Sequence, residues 1–471
     1  REKGYVAAVQ VPPQQIDQGV VRLDVLMAKM AAVQVRGDAG PSEKLLARYI
    51  DKIASQPVFN VFEAERYLLL ARDIPGLDVR LSLRPTDGQP GSVIGEFSVV
   101  RTTVFADLSV QNLGSKQVGR FGALGRIRFA GLTGLGDETM VTAFTTLDFR
   151  EQQVLQGSHE FRLGSEGLTI GGDFTYSWSD PSLPGPDNFA SDTLVAGVHA
   201  TYPFIRTQAS NVFGTLGFEY IDQQVDFAGI PLTEDTLSIL YARLGASQIS
   251  AASISGADGY SAIEPRWAIS ASLELRQGID VFGASQGCGP GLVRCSAPGY
   301  IPPSRVEGDP TAFVMRADMR FDYRPDPKLA LSLAPRVQYA AHPLLAYEEM
   351  SGGNFTVGRG FDPGAVIGDK GIGVRSEVAY GSLVPPEPTA SAFQPFMFFD
   401  AQWVWNEDAA FNGLNPQDIY SVGGGLRATI RNMARIEALL AVPLNKTDFQ
   451  TQTGGVRFLF TVTMQLAPWN L

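Results

Sequence analysis

The residues with the clearest chemical potential surround one arginine in the last third of the chain. The stretch SGGNFTVGRGFDPG, residues 351–364, places Arg359 among five glycines. Gly358, Gly360, Phe361 and Asp362 are expected to belong with Arg359 to one latch motif. Glycine lets a backbone take positive φ angles and approach other groups closely, which predicts a shaped loop. An arginine held in such a loop can bind a carboxylate through two hydrogen bonds from its planar guanidinium.

Two acids on predicted strands after this loop are the candidate partners. In GIGVRSEVAY, Glu377 shares one strand face with Arg375, and in FMFFDAQWVW, Asp400 lies opposite an apolar and aromatic face. One interpretation is that Asp400 is a solvated charge. The other is that the loop folds back and Arg359 binds Asp400. A partly desolvated pair adds little net stability but fixes one geometry, as a gate or a folding latch requires.

The two cysteines, Cys288 and Cys295, lie in CGPGLVRC between glycine- and proline-rich flanks. A local disulfide in an oxidising compartment is favoured over two free thiols. The three histidines are scattered, so neither a metal site nor a cofactor is expected.

Composition narrows the class of protein. The 471 residues carry a net charge of −11, which argues against a nucleic-acid partner bound through its phosphates. No run of about 18 uncharged apolar residues occurs, so a transmembrane helix is not expected.

From about residue 104 onwards, apolar and polar residues alternate in long segments. A soluble β-sandwich also alternates, but its strands average about 5–6 residues, whereas these reach the length that crosses a bilayer. A charged inner face and an apolar outer face suit a water-filled barrel in lipid. Sixteen strands are predicted, at 104–111, 118–129, 139–149, 158–164, 168–178, 193–202, 210–221, 236–249, 262–276, 311–323, 328–340, 371–381, 394–405, 418–430, 434–442 and 454–466.

Connection lengths predict the orientation of this barrel, residues 101–471. Short connections at 165–167, 324–327 and 431–433 alternate with long ones at 179–192, 277–310 and 341–370, with 382–393 as an exception. Outer-membrane barrels have short periplasmic turns and long outer loops. The amino-terminal part and the carboxyl end are then periplasmic, the cysteines lie in the fifth outer loop, and Arg359 lies in the sixth.

Residues before the barrel have a different pattern. Residues 31–100 predict β-α-α-β-β, with helices in PSEKLLARYIDKI and NVFEAERYLLLARDI. Asn60 and Glu63 predict a capping box at the second helix. Residues 1–30 predict only the closing strands of a similar module.

Several stretches together resemble one known family. The string LLAYEEMSGGNFTVGRGFDPG, followed by GDKGIGVRSEVAY and PFMFFDAQWVW, resembles the loop-six and strand-twelve to strand-thirteen signature of the outer-membrane protein assembly and secretion superfamily. Others resemble its two-partner secretion branch, the haemolysin-activator or TpsB type: GYVAAVQVPPQQIDQGVVRLDV, LLLARDIPGLDVRLSLRPTDGQPGS, VQNLGSKQVGRFG with GLGD, and HATYPFIRTQ.

The resemblance implies an all-β transmembrane barrel of about sixteen strands behind periplasmic transport-associated (POTRA) domains. Residues 31–100 correspond to the second POTRA domain and 1–30 to the end of the first. It also implies that Arg359 pairs with Asp400 and that Gly360 and Phe361 complete the motif, while Glu377 matches less specifically. Gly358 stands where the family usually has valine.

The function implied is an outer-membrane translocator that captures one unfolded partner exoprotein, of the adhesin or cytolysin type, and exports it to the bacterial surface. Capture is expected at an exposed POTRA strand edge and a groove beside the helix 61–73. The residues expected to contact the client are Leu77, Val79, Leu81 and Leu83 on the strand, and Tyr67 and Leu70 on the helix.

Three other functions fit the sequence less well. An insertase of the same superfamily would fold other barrels into lipid, and it tends to carry more POTRA domains. A passive porin needs no module such as residues 31–100. An enzyme is not expected, because the chain offers no convincing set of nucleophile, base and orienting acid.

Overall fold

The computed structural model describes residues 3–15, 19–86, 91–182, 188–408, 414–448 and 450–468. A small α/β region extends to Arg101, and a closed β-barrel begins at Val104. The prediction of about sixteen antiparallel strands behind a small α/β module is therefore confirmed. None of the described helices is long and apolar enough to cross a lipid bilayer.

The α/β module is a three-stranded sheet packed against two helices. Its elements are β3 Lys29–Gly37, α1 Glu43–Ala54, α2 Val61–Arg72, β4 Leu77–Pro85 and β5 Ser92–Arg101. The central strand β5 is parallel to β3 and antiparallel to β4. Tyr49, Ile53, Val79 and Phe97 are fully buried in the core. Before the module, β1 Ala7–Gln10 pairs with β2 Asp24–Met27.

The helix α2 is capped differently from the predicted box. Asn60 Oδ1 accepts a hydrogen bond from the N–H of Phe62 at 2.9 Å, as an N-cap residue does. The N–H of Asn60 itself donates to Gln56 Oε1. The turn between the helices, and not Glu63, thus supplies the second half of the cap.

The remaining strands are β6 to β23, and all but two of them form the barrel. They are β6 Val104–Gln111, β7 Gly122–Ala130, β8 Glu138–Thr146, β9 Gln152–Leu163, β10 Leu168–Ser179, β11 Phe189–Arg206, β12 Ser210–Phe227, β13 Ile230–Ile249, β14 Trp267–Gly278, β15 Phe313–Asp326, β16 Leu329–Ala340, β17 Met350–Gly352, β18 Val366–Gly368, β19 Lys370–Tyr380, β20 Ser391–Trp405, β21 Gln417–Ile430, β22 Ala434–Pro443 and β23 Arg457–Ala467. The two exceptions are β17 and β18, which lie outside the barrel wall and pair with each other.

Side chains alternate between the two faces of the barrel wall, as the two-residue period of a strand requires. On β20, Gln394, Phe396, Phe398 and Asp400 are buried on the inner face. The intervening apolar residues, such as Met397, are exposed on the outer face. This strand therefore carries aromatic side chains on both faces, and only the inner ones can contact a group inside the lumen.

The barrel has a proximal end, next to the module, and a distal end. Proximal connections are 131–137, 164–167, 207–209, 250–266, 327–328, 381–390 and 431–433. Distal connections are 112–121, 147–151, 180–188, 228–229, 279–312, 341–369, 406–416 and 444–456.

Two connections depart furthest from the predicted alternation of short and long. The proximal connection 250–266 is long and contains the short helix α3 Ala251–Ile254. At the distal end, β12 and β13 continue through residues 222–235, which were predicted to be a loop, and turn at Ala228 and Gly229. Both turn residues have positive φ, 53° and 75°, as a two-residue hairpin with a type I′ turn requires. The strands were predicted from the apolar and polar alternation of membrane-crossing segments. This hairpin is polar, so that alternation did not predict it.

The seam of the barrel is the pairing of β6 with β23. Backbone pairing runs from Ala106 opposite Ala467 to Gln111 opposite Thr461. Beyond it, the Asn112 side chain accepts from the N–H of Phe460 at 2.6 Å and donates to the carbonyl of Phe458 at 2.8 Å. A side-chain amide thus continues the strand ladder at the distal end of the seam.

Candidate functional site: the inserted loop and its contacts

The long distal connection 341–369, which we call the inserted loop, folds back against the inner wall of the barrel. Its arms β17 and β18 form a small hairpin. Phe361 and Val366 of the loop are buried against Val404 of β20 and Ile419 of β21. The tip of the loop, residues 353–364, therefore lies among the inward-facing side chains of strands β19 to β21.

Arg359 at the tip binds Asp400 of β20 through three hydrogen bonds. Its backbone N–H and its Nε both donate to Oδ2 at 3.0 Å, and its Nη2 donates to Oδ1 at 2.7 Å. The Asp400 side chain has no solvent exposure and that of Arg359 has 3%. Such a bidentate, charge-assisted pair fixes both the position and the direction of the tip.

A second acid and a second arginine extend this contact. Arg359 Nη1 donates to Glu377 Oε2 at 3.1 Å. Glu377 also binds Arg427 of β21, which in turn binds Glu437 of β22. The tip is therefore joined to four neighbouring strands by one chain of alternating charges.

Two inward aromatic rings lie directly against these arginines. The Cζ atom of Arg359 is 3.6 Å from the centroid of Phe398, and that of Arg427 is 3.9 Å from Phe396. A guanidinium stacked on an aromatic face gains a cation–π contribution of about 0.5–2 kcal/mol. Neither ring was among the predicted site residues, although both share the strand parity of Asp400 and could have been found from it.

Glycine is required at two positions beside Arg359. Gly358 has φ +113°, and a Cβ atom there would lie 2.5 Å from Ile419 Cδ1. A Cβ atom on Gly360 would lie 2.8 Å from the backbone nitrogen of Pro443 and from Ser421 Cβ. Gly358 thus has a backbone conformation that residues with a side chain rarely adopt.

Asp362 was expected to belong to the Arg359 latch, and the structure places it elsewhere. Its Oδ1 lies 2.6 Å from Arg457 Nη2 of β23 and 3.7 Å from Arg120 Nη1 in connection 112–121. The angles do not meet those of a hydrogen bond, so the contact is an ion pair only. Asn354 Nδ2 donates to the carbonyl of Leu113 at 2.6 Å. These contacts join the tip to both sides of the seam.

The base of the inserted loop has its own ionic contacts, which the sequence did not reveal. Glu348 receives two hydrogen bonds from Arg276 of β14, at 2.8 and 2.9 Å. Glu349 Oε1 accepts from Arg305 of connection 279–312 at 2.8 Å. Arg305 also binds Asp369, at the end of the loop, and Asp408 of connection 406–416. One arginine thereby joins three distal connections.

This arrangement alters the titration of Glu349. Burial raises the pKa of Glu349 to about 7; the Arg305 guanidinium opposes the rise, and the nearby carboxylates of Asp369, Asp408 and Asp235 add to it. The closed arrangement of the three connections therefore favours the protonated form of this carboxyl group.

The predicted client-binding residues have two different environments. Leu77 and Val79 of β4 are buried in the module core, and Leu81 and Leu83 are half-buried against it. Their side chains are largely unavailable to a client. The outer edge of β4 has no strand partner in the part of the chain that the structure describes, so its backbone groups are the accessible feature.

Tyr67 and Leu70 of helix α2 were predicted to line an open client-binding groove. In the structure both residues face the barrel, so this prediction is corrected. Leu70 is buried, and its Cδ2 atom would lie 2.6 Å from a Cβ atom on Gly167 of the proximal turn 164–167. Tyr67 Oη donates to Glu166 Oε1 of the same turn at 3.3 Å. Nearby, Asp73 forms a two-bond pair with Arg206 at 2.7 Å. This face of α2 is the contact between module and barrel.

The two cysteines are joined to each other in the structure. Cys288 and Cys295, separated by seven positions, form a disulfide in the distal connection 279–312. Cys288 is buried. The bond restrains the same connection that carries Arg305.

Comparisons with known proteins agree on one family and one fold. A sequence profile of the haemolysin secretion/activation proteins ShlB/FhaC/HecB matches residues 98–428. The heme/hemopexin transporter protein HuxB of Haemophilus influenzae (strain ATCC 51907 / DSM 11121 / KW20 / Rd) is 24% identical over 219 residues, 44% of this chain and 37% of HuxB. The matched segment thus spans little more than a third of that curated relative.

Two solved structures show the same architecture over nearly the whole chain. CdiB from Escherichia coli has a TM-score of 0.76 at 14% identity, covering 98% of this chain and 81% of that chain. CdiB from Acinetobacter baumannii has a TM-score of 0.68 at 17% identity, covering 98% and 79%. At these identities the likeness establishes the fold.

Proposed function

The chain belongs to the ShlB/FhaC/HecB family of two-partner secretion transporters, and from that premise we propose that it exports an unfolded partner exoprotein through its barrel. The barrel lies in the bacterial outer membrane, with its proximal end in the periplasm and its distal end outside. The observation that carries the proposal is the inserted loop, bound by Arg359 to Asp400 inside a closed barrel.

The inserted loop acts as a latch because its main contact is directional and buried. A buried ion pair contributes little net stability against an apolar alternative, but breaking it by removing one partner is strongly destabilising. The loop is therefore held in one position at rest. When a polypeptide passes through the barrel, the loop must leave that position or shift to one side of the lumen.

The α/β module captures the client as a POTRA domain in the periplasm. An unpaired strand edge offers a row of backbone donors and acceptors, which an extended chain satisfies by adding a strand. The edge of β4 meets this requirement, with Leu81 and Leu83 half-buried beside it. Since α2 is docked on the barrel, a client bound at β4 lies close to the proximal opening.

The test is secretion of the client by cells that carry Arg359→Ala. We expect a barrel that is present in the outer membrane in normal amount and exports little. Arg336→Ala is the matched control, since Arg336 also lies on a barrel strand but pairs with Asp318 at 3.7 Å and both side chains are partly exposed. Wild-type secretion by Arg359→Ala would reject the latch.

Deletion of the gene separates export from the insertase alternative. Loss of one large secreted or surface-attached protein supports export. Loss of many barrel proteins from the outer membrane supports insertion.

A further inference from the structure

One inward-facing arginine beside the latch is not used by it. Arg375 lies on β19, and its Cα partner across the strand pair with β20 is Asp400. Residues directly opposite in an antiparallel pair have Cα atoms about 4.5–5.5 Å apart, and an arginine side chain easily spans such a distance. By position alone, Arg375 is the natural partner of Asp400.

In the latched arrangement this pair is not made. Among the residues that the structure describes, Arg375 has no hydrogen bond and no ion pair, whereas both Asp400 oxygens are bound by Arg359. The other acids near Arg375 are occupied as well, Glu377 by Arg359 and Arg427, and Glu437 by Arg427. The Arg359 guanidinium repels Arg375, while these three acids attract it.

The Arg375 side chain has room to move. It lines a cavity of about 220 Å³ under the tip of the inserted loop, together with Arg359, Phe355 and Glu437. Most other arginines on inner faces of the barrel have an acidic partner, such as Arg126 with Asp107. An arginine that lies opposite an occupied acid and borders a cavity is poised to exchange partners.

Release of the tip creates a problem that Arg375 can solve. In the latched structure Asp400 has no solvent exposure. Once Arg359 leaves, Asp400 is a carboxylate without a counter-charge on a wall that also carries Phe396 and Phe398, and such a group disfavours the released state. We propose that Arg375 takes over Asp400 when the tip of the inserted loop leaves, so that two arginines compete for one carboxylate. This inference rests on the latch of the proposed function.

Exchange makes the latch a two-state element. The latched state pairs Asp400 with Arg359 and leaves Arg375 unpaired, and the released state pairs Asp400 with Arg375 and frees Arg359 with the loop. Because Asp400 is paired in both states, the tip can leave without the full penalty of an unpaired carboxylate. Arg375 is thus a positioning residue for opening the lumen.

The test uses the purified full chain in lipid nanodiscs, without a client. Spin labels at Phe355→Cys in the tip and Leu232→Cys in the distal hairpin, in a Cys288→Ser/Cys295→Ser background, report the fraction of released tip. Arg375→Gln should lower that fraction on the order of tenfold, since a hydrogen bond to a charged group contributes about an order of magnitude to an equilibrium. Arg375→Lys, which keeps the charge, should recover part of it.

Arg435→Gln is the matched control. Arg435 lines the lumen from β22 and has neither a hydrogen bond nor an ion pair to any residue the structure describes, but it lies opposite Thr429 and Thr463 and not opposite Asp400. It should leave the released fraction unchanged. An equal effect of the two substitutions would mean that Arg375 acts only through its positive charge in the lumen and not by pairing with Asp400. An unchanged or larger released fraction in Arg375→Gln would overturn the exchange.

A second measurement covers the case in which the released fraction of the parent chain is too small to compare. Thermal unfolding of Arg359→Ala, Arg375→Gln and the double variant forms a cycle. We expect the double variant to lose more stability than the sum of the singles, because Arg375 rescues Asp400 only when Arg359 is absent. Additive losses would reject the exchange. Both measurements omit the client, so their outcome does not depend on whether the chain exports a polypeptide.

Discussion

Among the arginines that hold the inserted loop, Arg359 at its tip and Arg305 at its base have surroundings that differ in charge balance. At the tip, Arg359, Arg427 and Arg375 face three acids on the same strands. At the base, Arg305 alone faces Glu349, Asp369 and Asp408. The tip is therefore balanced in charge, whereas the base has a surplus of carboxylates.

The difference separates two kinds of attachment. A balanced cluster holds its geometry while pH varies, and it changes only when one member is displaced by another. A cluster with surplus acid depends on the protonation of one carboxyl group, here Glu349. The contacts of the loop tip should therefore be independent of pH, whereas the contacts at the base should depend on the protonation of Glu349.

The largest expected effect comes from breaking the tip. Arg359→Ala leaves Asp400 without its main partner, so we expect the barrel to lose on the order of 3–5 kcal/mol of stability unless Arg375 compensates. Arg359→Lys should rescue poorly, because an ammonium group cannot form the two-bond contact. Thermal unfolding measured by heat-modifiable gel migration checks both.

A charge swap sharpens this result. Arg359→Asp combined with Asp400→Arg should recover part of the stability that either single variant loses. No recovery would argue that the two side chains do not depend on each other.

The next effect is a pH dependence at the base only. Glu349 has a pKa raised to about 7 in the closed arrangement, against about 4.5 when the loops are open, so the closed state binds more protons between these values. Its stability should fall as pH rises from about 4.5 to about 7, by up to about 3 kcal/mol, and then level off. Spin-label distances between Val293 and Leu414, in connections 279–312 and 406–416, should broaden over this range.

Glu349→Gln is the control for the pH effect. It removes the titrating group and keeps the shape of the side chain, so the distances should no longer change with pH. A pH response that persists in Glu349→Gln would place the titration in another group.

A smaller effect is expected from the glycine beside Arg359. Gly358→Ala forces an alanine to φ +113° and towards Ile419, which should cost about 1–3 kcal/mol and loosen the tip. Gly455→Ala, in the distal connection 444–456, is the control, because Gly455 has no positive φ and a Cβ atom there would meet nothing within 4 Å. Unfolding temperatures compare the two, and equal losses would mean that Gly358 has no special role.

The smallest effect should follow loss of the disulfide. Cys288→Ser with Cys295→Ser releases a clip that closes a short segment of connection 279–312, so only local chain entropy changes. Secretion should stay near the wild-type level. A strong loss of secretion would mean that the position of Arg305 depends on this bond.

The sequence predicted the barrel well because lipid and water impose opposite requirements on the two strand faces. That alternation located all sixteen strands and placed Asp400 on the inner face. It failed at residues 222–235, where β12 and β13 continue as a polar hairpin. Beyond the bilayer no apolar face is needed, so nothing in the pattern marks a strand.

The candidate site was predictable only where a strand fixed the direction of a side chain. Arg359 and Asp400 could be paired because one lies in a glycine-shaped loop and the other on a periodic strand. The contacts of Arg305 join three irregular connections, for which no periodicity exists. Tyr67 and Leu70 were misplaced because the docking of α2 on the barrel depends on a turn about one hundred residues away.

The side-chain closure of the seam has a consequence for how the barrel forms. Asn112 and Phe460 are 348 residues apart in the chain, so their hydrogen bond closes a loop that contains almost all the barrel strands. Contacts of such long separation are slow to form, since the entropy of closing a large loop must be overcome first. Earlier strand pairs are local hairpins and need no such wait. The cylinder should therefore grow strand by strand as an open sheet and close in one late step, and replacing Asn112 should slow that step while leaving the earlier ones at their normal rate.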